Sequence, residues 1–562
     1  MILDARKLEA ELVLRCDIAI LGAGAAGLAL ALAIARARRD LNVLVIEAGG
    51  RDLDVGEQAQ YFSEDTISCD GHPPLELYRR RMFGGTTSIW GGRCIPFSPD
   101  DFASRPEIGR TGWPIPYEDV GKFYPAALRL LEAGAFEFDA EHALPDEPAP
   151  LASAKCPHGL VLDRLERFSR PTDLARRYNK ELDIAPNVQV LLNAPCVEVL
   201  VSQSGRRATG LAIRTAEKDL TVEAGTTVIA AGGLETPRLL LWSGSKNAGE
   251  FGNRSGHLGR NYMTHFAGDL GRIQFCRPQN ELRLDYSKSR DGVWCRRLIQ
   301  LDANTLREQS LVNFVLRPSI PALHDPAHGN AILSAAFFAK RFLIAEYARR
   351  LTMTPGSPAF GSGSPEWRHM LDHGRNILSG LPSLTRFGAH WMRHRVAASR
   401  KLPSLFLTSQ TGAYPLEFNI EQLPDKECGV RLGSSMDPNG VPRIALDWRL
   451  DRELKDQVIR IYEQVGSACR SAGIGEIIVD EMEKEMVLER CSAQGGHHMG
   501  TARMSSDPRG GVVDRHLEVW DTKDLYVLGP AVFPTCGFAN PTLTIVALAL
   551  RLAERLTGQK AR

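Results

Sequence analysis

The sequence predicts an α/β fold: a Rossmann-like nucleotide-binding unit at its start, further glycine turns along the chain, and a later region whose alternating segments suggest a sheet. Three observations predict it. The chain opens with a strand, a GxGxxG turn, a helix, a second strand and an acid. Further glycine-rich turns recur at 84–92 and 232–233, and the stretch from 270 to 485 alternates apolar and polar residues between turn signals.

The first element is the apolar run Asp17-Ile18-Ala19-Ile20-Leu21, which ends in Gly22-Ala23-Gly24-Ala25-Ala26-Gly27. A helix-forming stretch follows at 28–39, then a buried strand at 42–46 that closes on Glu47. In such a unit Gly22 makes the tight turn, Gly24 lets a pyrophosphate approach, and Gly27 allows helix–strand packing. The unpaired N–H groups of the helix start, at Ala25 and Ala26, face the phosphates. Glu47, 20 residues past Gly27, is placed to accept hydrogen bonds from a ribose diol.

Next come Gly84-Gly85-Thr86 and Trp90-Gly91-Gly92, a backbone-rich surface on which a flat ring system can lie, or a pair of turns around a buried tryptophan. Residues 188–213 suggest an antiparallel hairpin returning the chain to the sheet. The run 227–241 reads as a strand, a turn at Ala231-Gly232-Gly233, and a helix with Thr236 near its cap and Pro237 early in it. Further on, the segments at 416–422, 430–433 and 443–447 suggest a sheet, and Asp437-Pro438-Asn439-Gly440 has turn chemistry. Gly112-Trp113-Pro114-Ile115 and Tyr117 read as structural. Residues 340–401 hold 11 Lys or Arg against three acids, a net charge of +8, with aromatic and leucine residues between. A basic amphipathic insertion for a membrane surface or a partner is one reading; a solvated helical cap is the other and the favoured one. Prolines and glycines at 355–365 also suit an active-site lid.

The last block carries the chemistry. His497-His498-Met499-Gly500-Thr501 is followed, 43 residues after His497, by Asn540-Pro541-Thr542 at the start of an apolar helix at 543–556. This pairs a titratable imidazole with a neutral amide, and a histidine suits proton transfer because its reference pKa of about 6.5 lies near working pH.

Composition sets the limits. With 562 residues, 43% hydrophobic and 24% charged, the chain has material for a large core and about three or four domains of ordinary size. A net charge of +1 gives no field that favours nucleic acid. There is no run of about 20 uncharged apolar residues and hence no expected membrane span. Eleven cysteines, scattered and without a CxxC pair, fit neither a disulfide framework nor a zinc site, so no metal is expected. Mixed charges before the first strand show no signal-peptide pattern, and a cytoplasmic location is expected.

The fingerprint with Glu47, the 84–92 turns, Gly232 to Leu241, Leu258-Gly259-Arg260-Asn261 and the 497–550 block together resemble the glucose-methanol-choline (GMC) oxidoreductases, over about half the chain and in the family's order. Within that family the terminal motifs are most similar to the pyranose oxidase and sugar dehydrogenase branch. The resemblance implies a discontinuous Rossmann-like FAD-binding domain of the glutathione-reductase type from 1–100, 186–270 and 485–562, interleaved with a substrate domain from 101–185 and 271–484 that is built on an antiparallel sheet plus helices and carries the 340–401 insertion. It implies FAD contacts from Gly22, Gly24, Ala25, Ala26, Gly27, Glu47, Gly84, Gly85, Thr86, Trp90, Gly91, Gly92, Ala231, Gly529, Pro530, Pro541 and Thr542. It further implies that His497 takes the hydroxyl proton of an alcohol while its carbon delivers hydride to the flavin, and that Asn540 holds the substrate oxygen; His498 packs or supports.

Two departures from the family stand out. Ile89 occupies the position of the histidine that links covalently to flavin in pyranose oxidases, so non-covalent FAD is expected. Gly529-Pro530 stands where many members have Asp-Gly. The expected substrate is a secondary hydroxyl of a sugar, glycoside or cyclitol, with the electron acceptor (oxygen, a quinone or a redox protein) left open. A lyase on the same scaffold and a non-catalytic nucleotide-binding partner subunit are the alternatives.

Overall fold

In the strand Val13–Leu21 only the last four residues are continuously buried, and they run into the glycine turn. The following helix, Ala25–Ala37, buries nine residues from Ala26 to Ile34, so it lies between layers rather than on the surface. These elements come from a computed structural model that describes residues 1–62, 71–145, 147, 159–247, 252–276, 283–339, 366–409, 411–482 and 484–559.

The first sheet runs Ile2–Asp4, Val188–Leu192, Val43–Ile46, Val13–Leu21, Asp219–Ile229, Ala208–Arg214, Cys196–Val201. Its first five strands are parallel; the last two form an antiparallel extension. Leu525–Val527, from the far end of the chain, pairs parallel with Thr227–Ile229. Val43–Ile46 is buried throughout, as a strand covered on both faces must be. Ala25–Ala37 packs on it, and the C-terminal helix Thr542–Thr557 packs on Ala25–Ala37.

The second sheet is antiparallel: Phe314–Pro318, Ala413–Glu421, His265–Phe275 and Gly475–Ile478, with Ser492–Ala493 pairing to the start of His265–Phe275. One face shares a core with helix Arg452–Ser471, where Phe266, Leu416, Phe418 and Ile420 meet Val458, Ile461 and Val465. The alternate residues of the same strands, Ala267, Asp269, Glu417 and Asn419, look into a cavity. The α/β fold with a parallel nucleotide sheet and an antiparallel sheet is therefore the one the sequence predicts.

Several details differ. Val188–Leu192 is a parallel strand of the first sheet, and only Cys196–Val201 and Ala208–Arg214 form the hairpin. Gly429–Met436 and Pro442–Asp447 do not join the second sheet; they form their own hairpin around the Asp437–Gly440 turn, where Asp437 Oδ1 accepts from the amides of Asn439 and Val441. The helix after Ala231 spans Gly232–Lys246, so Pro237 sits inside it rather than at its start. A proline there leaves the Gly233 carbonyl without its i→i−4 donor, and the Thr501 hydroxyl fills the gap at 2.6 Å.

The expected boundaries also cut across elements. Strand His265–Phe275 spans position 270, and Leu174–Ile184 packs on the first sheet although it falls in 101–185. Of the basic segment, 340–365, including the lid reading, lies outside the described residues. The rest forms helices Glu366–Ser379 and Leu381–Trp391, on which Trp367, Met370, Leu371, Leu378 and Leu381 are exposed.

Candidate active site

A cavity of about 1160 Å³ runs from the GxGxxG turn to the inner face of the second sheet. At its nucleotide end the glycines do what their positions require. Gly22 has φ +106°, and a Cβ there would stand 2.5 Å from the Ala230 carbonyl oxygen. A Cβ on Gly27 would stand 1.9 Å from the Gly22 oxygen, which is the helix–strand contact. Gly24 differs, because space is open beside it. No side chain caps helix Ala25–Ala37, so its first amides are left for a ligand. Glu47 lines the cavity, but its two oxygens already accept from the amides of Ala23 (2.9 Å) and Gly49 (3.0 Å). The carboxylate thus ties the glycine turn to the end of the second strand, and burial raises its pKa.

Ala25, Ala26, Gly85, Thr86, Trp90, Gly91, Ala231 and Pro530 also line the cavity. Trp90 is oriented by its Nε1–H donating to the Thr172 carbonyl at 3.0 Å. Gly27, Gly84, Gly92 and Gly529 are not among the lining residues. The last three have positive φ and shape the turns instead; Gly84, at φ +97°, lies so near Asp173 and Ala175 that a side chain would collide with both.

His497 and Asn540 meet at the middle of the cavity, with Asn540 Nδ2 3.1 Å from His497 Nε2. Two local structures bring them there. Gln494 donates its amide to the His265 carbonyl and accepts from the amide of His497, while Met499 and Met263 exchange backbone hydrogen bonds, which pins the 494–499 loop to the second sheet. Asn540 precedes helix Thr542–Thr557, whose N-terminus carries no side-chain cap and, with Pro541 and Thr542, faces the same cavity. Asn540 Oδ1 is buried without a protein partner. His498 is also buried, and its Nδ1 lies 2.8 Å from the Tyr262 hydroxyl.

The far wall is polar. Asp269 and Glu417 sit directly opposite each other on paired strands. Burial, with Glu417 beside it, pushes the Asp269 pKa up to about 6, although Ser319 donates to it at 2.8 Å. Arg93, Arg296, Tyr286 and Phe406 complete this end. Among the described residues no cluster of His, Cys, Asp or Glu could hold a metal, and no described helix is long and apolar enough to cross a membrane.

Sequence reasoning missed His265, whose Nδ1 stands 2.8 Å from His497 Nδ1. It is the first residue of its strand, with no motif of its own. The only signal was its place four residues after Asn261, where the chain leaves a recognisable turn.

The two sheets agree with comparison to known proteins. Models of the GMC oxidoreductase family match this sequence at 166–267 and 424–549. The chain belongs to the GMC oxidoreductases. A lycopene cyclase model matches only 17–67, around the nucleotide fingerprint. Paromamine 6'-oxidase of Streptomyces fradiae is 33% identical over 25% of this chain and 26% of that protein. C-glycoside 3-oxidase of Arthrobacter globiformis is 36% identical over 22% of this chain and 23% of its own. Those alignments thus span about a quarter of each relative's length. The structure of pyridoxine 4-oxidase from Mesorbium loti superimposes with a TM-score of 0.56 at 17% identity, covering 96% of this chain and 99% of that one, and so shares the GMC fold.

Proposed function

We propose that this GMC oxidoreductase oxidises an alcohol to a carbonyl, with His497 as the base and Asn540 orienting the substrate oxygen. The observation that carries the reading is the 3.1 Å contact of His497 Nε2 and Asn540 Nδ2 in a cavity continuous with the glycine fingerprint. FAD, which the family implies, supplies the hydride acceptor when bound. The residues present fit it: uncapped helix amides and open space at Gly24 suit a pyrophosphate, and the Gly85, Trp90 and Gly91 backbone suits a flat ring. Ile89 lines the cavity at the position where a covalent link would need a histidine, which supports non-covalent binding.

His497 takes the hydroxyl proton on Nε2. Asn540 is neutral, so it aligns the oxygen without adding a second charge beside the imidazolium that forms. Its Nδ2–H group, beside His497 Nε2, is a donor suited to the substrate oxygen and leaves the single hydroxyl hydrogen to His497, while the buried Oδ1 can accept from a neighbouring hydroxyl. The uncapped start of Thr542–Thr557 stabilises negative charge developing against it.

A secondary hydroxyl of a sugar, glycoside or cyclitol is the proposed substrate. Two relatives are named for paromamine and C-glycoside oxidation, and a wall bearing Asp269, Glu417, Asn419 and Arg296 offers donors and acceptors to a polyol. Anaerobic addition of sugars and glycosides to FAD-loaded protein tests this: loss of the oxidised-flavin absorbance is expected with a substrate and not with His497→Ala. Protein that binds no FAD, or product formed without flavin reduction, overturns it, the latter in favour of a lyase. Oxygen, quinone or dye reoxidation then identifies the acceptor.

The exposed apolar residues on the arginine-bearing helices 366–391 support a further proposal, that this face docks on an anionic membrane surface.

A further inference from the structure

We infer that His265 is a positioning residue that holds His497 in the tautomer with its proton on Nδ1 and its lone pair on Nε2, facing Asn540 and the cavity. The inference rests on the reading of His497 as the base and adds the group that prepares it.

The argument follows protons along one line. His265 is fully buried, and its Nε2 stands 3.2 Å from the Cys536 carbonyl oxygen. A carbonyl only accepts, so that nitrogen carries hydrogen. Burial drives the His265 pKa down to about 4, against the raising effect of this carbonyl, so at neutral pH the ring holds one proton and Nδ1 is a lone pair. Two imidazole nitrogens 2.8 Å apart need one hydrogen between them, and only His497 Nδ1 can supply it. Asn419 agrees: it donates to the Phe538 carbonyl at 2.9 Å, and the same Nδ2 stands 3.4 Å from His265 Nδ1, a donor facing an acceptor.

The other end of the line gives the same answer independently. With its hydrogen on Nδ1, neutral His497 has its lone pair on Nε2, where the Asn540 amide stands as a donor. Every hydrogen bond from Asn540 to Cys536 therefore points the same way.

Two consequences follow. When Nε2 takes a proton, the imidazolium keeps its Nδ1–H on the His265 lone pair, which stabilises the charged form. The proton goes no further, because His265 Nε2–H ends on a carbonyl. It must leave by the face through which it came.

The test compares wild-type protein with His265→Asn and His265→Leu, each loaded with FAD and labelled with ¹⁵N-histidine, using His497→Gln to assign the signal. Asparagine sets an acceptor oxygen near the position of Nδ1; leucine offers none. Wild type and His265→Asn are expected to show the Nδ1–H tautomer of His497. His265→Leu should show mixed tautomers, protonation of His497 about one pH unit lower, and flavin reduction slowed about tenfold to a hundredfold at saturating substrate. An Nε2–H tautomer in wild type overturns the inference even if the leucine variant does not fold. A leucine variant with wild-type tautomer and pH profile also overturns it. If wild type holds Nδ1–H but His497→Ala still reduces flavin, the base is elsewhere while the positioning contact stands.

Discussion

The hydroxyl of Tyr262 bridges two histidines, 2.8 Å from Nδ1 of the buried His498 and 2.9 Å from Nε2 of the half-buried His72. His72 Nδ1 lies 2.7 Å from the Pro73 carbonyl and must donate to it, so its Nε2 accepts from Tyr262. His498 Nδ1–H then donates to the Tyr262 oxygen. A second chain ending on a carbonyl thus runs beside the His497–His265 chain, both anchored in the 494–499 loop.

Both histidines of this second chain are held neutral. Burial lowers His72 to about 4 and His498 well below its ordinary value. The sign follows from linkage: between the folded value and about 6.5 the unfolded chain binds more protons, so stability rises with pH there and is lost as pH falls below about 6.5. His72 alone contributes about 3 kcal/mol of this loss. Thermal unfolding between pH 7 and pH 5 should show a falling midpoint, with a shallower slope in His72→Gln. An unchanged slope would mean that His72 binds protons alike in the folded and the unfolded chain.

Tyr262→Phe should cost about 1–3 kcal/mol at pH 7, because it leaves the His72 lone pair and the His498 Nδ1–H unpaired together. Denaturant unfolding measures it; a loss below about 0.5 kcal/mol would break the proposed chain.

Thr501→Val should destabilise by a similar amount, about 1–3 kcal/mol, since it orphans the Gly233 carbonyl that Pro237 has already freed. Thr501→Ser keeps the hydroxyl and should recover most of the loss. If serine and valine behave alike in thermal melts, the hydrogen bond is not what holds the His497 loop to that helix.

Glu47→Gln should weaken FAD binding at least about tenfold. A carboxylate accepts from both Ala23 and Gly49, whereas an amide must turn its NH₂ toward one of them. Charge-assisted bonds of this kind are worth about 1.5–3 kcal/mol, enough for that factor. Titrating apoprotein with FAD checks it, and equal affinity would remove Glu47 from the turn's framework.

What was legible in the sequence was local. The βαβ unit could be read because Gly22, Gly24 and Gly27 each answer a backbone demand within a few residues, and the Asp437–Gly440 turn for the same reason. The His497–Asn540 pair was legible because both ends lie in motifs. His265 and Tyr262 were not: each acquires its role only when a strand beginning at 265 is laid beside a loop more than 200 residues away. The helix start at Gly232 was misplaced because Pro237 reads as a helix opener, and nothing local announces that Thr501 will satisfy the carbonyl it exposes. Glu47 reads as a ribose ligand by spacing and does line the cavity; that it also holds the amides of Ala23 and Gly49 is a tertiary fact.

The basic helices offer the last prediction. On Glu366–Ser379, Trp367, Met370, Leu371 and Leu378 recur at helical spacing and are 57%, 53%, 55% and 72% exposed. A merely solvated cationic cap would turn such residues inward, as it does the fully buried His373. Arg368 and Arg375 flank the stripe, and the next turns add exposed Leu381, Met392 and Val396 beside Arg386 and Arg393. Apolar residues of this kind insert at the headgroup boundary while arginines meet lipid phosphates. Full-length protein should therefore co-sediment with vesicles containing phosphatidylserine and not with phosphatidylcholine alone. Binding should fall at least about tenfold from 0.05 to 0.5 M salt, because the phosphate contacts are screened. Trp367→Ser with Leu378→Ser should weaken it comparably and leave flavin reduction by substrate unchanged, since neither residue lines the cavity. Equal sedimentation with both vesicle types, or none with either, would return this face to a solvated cap.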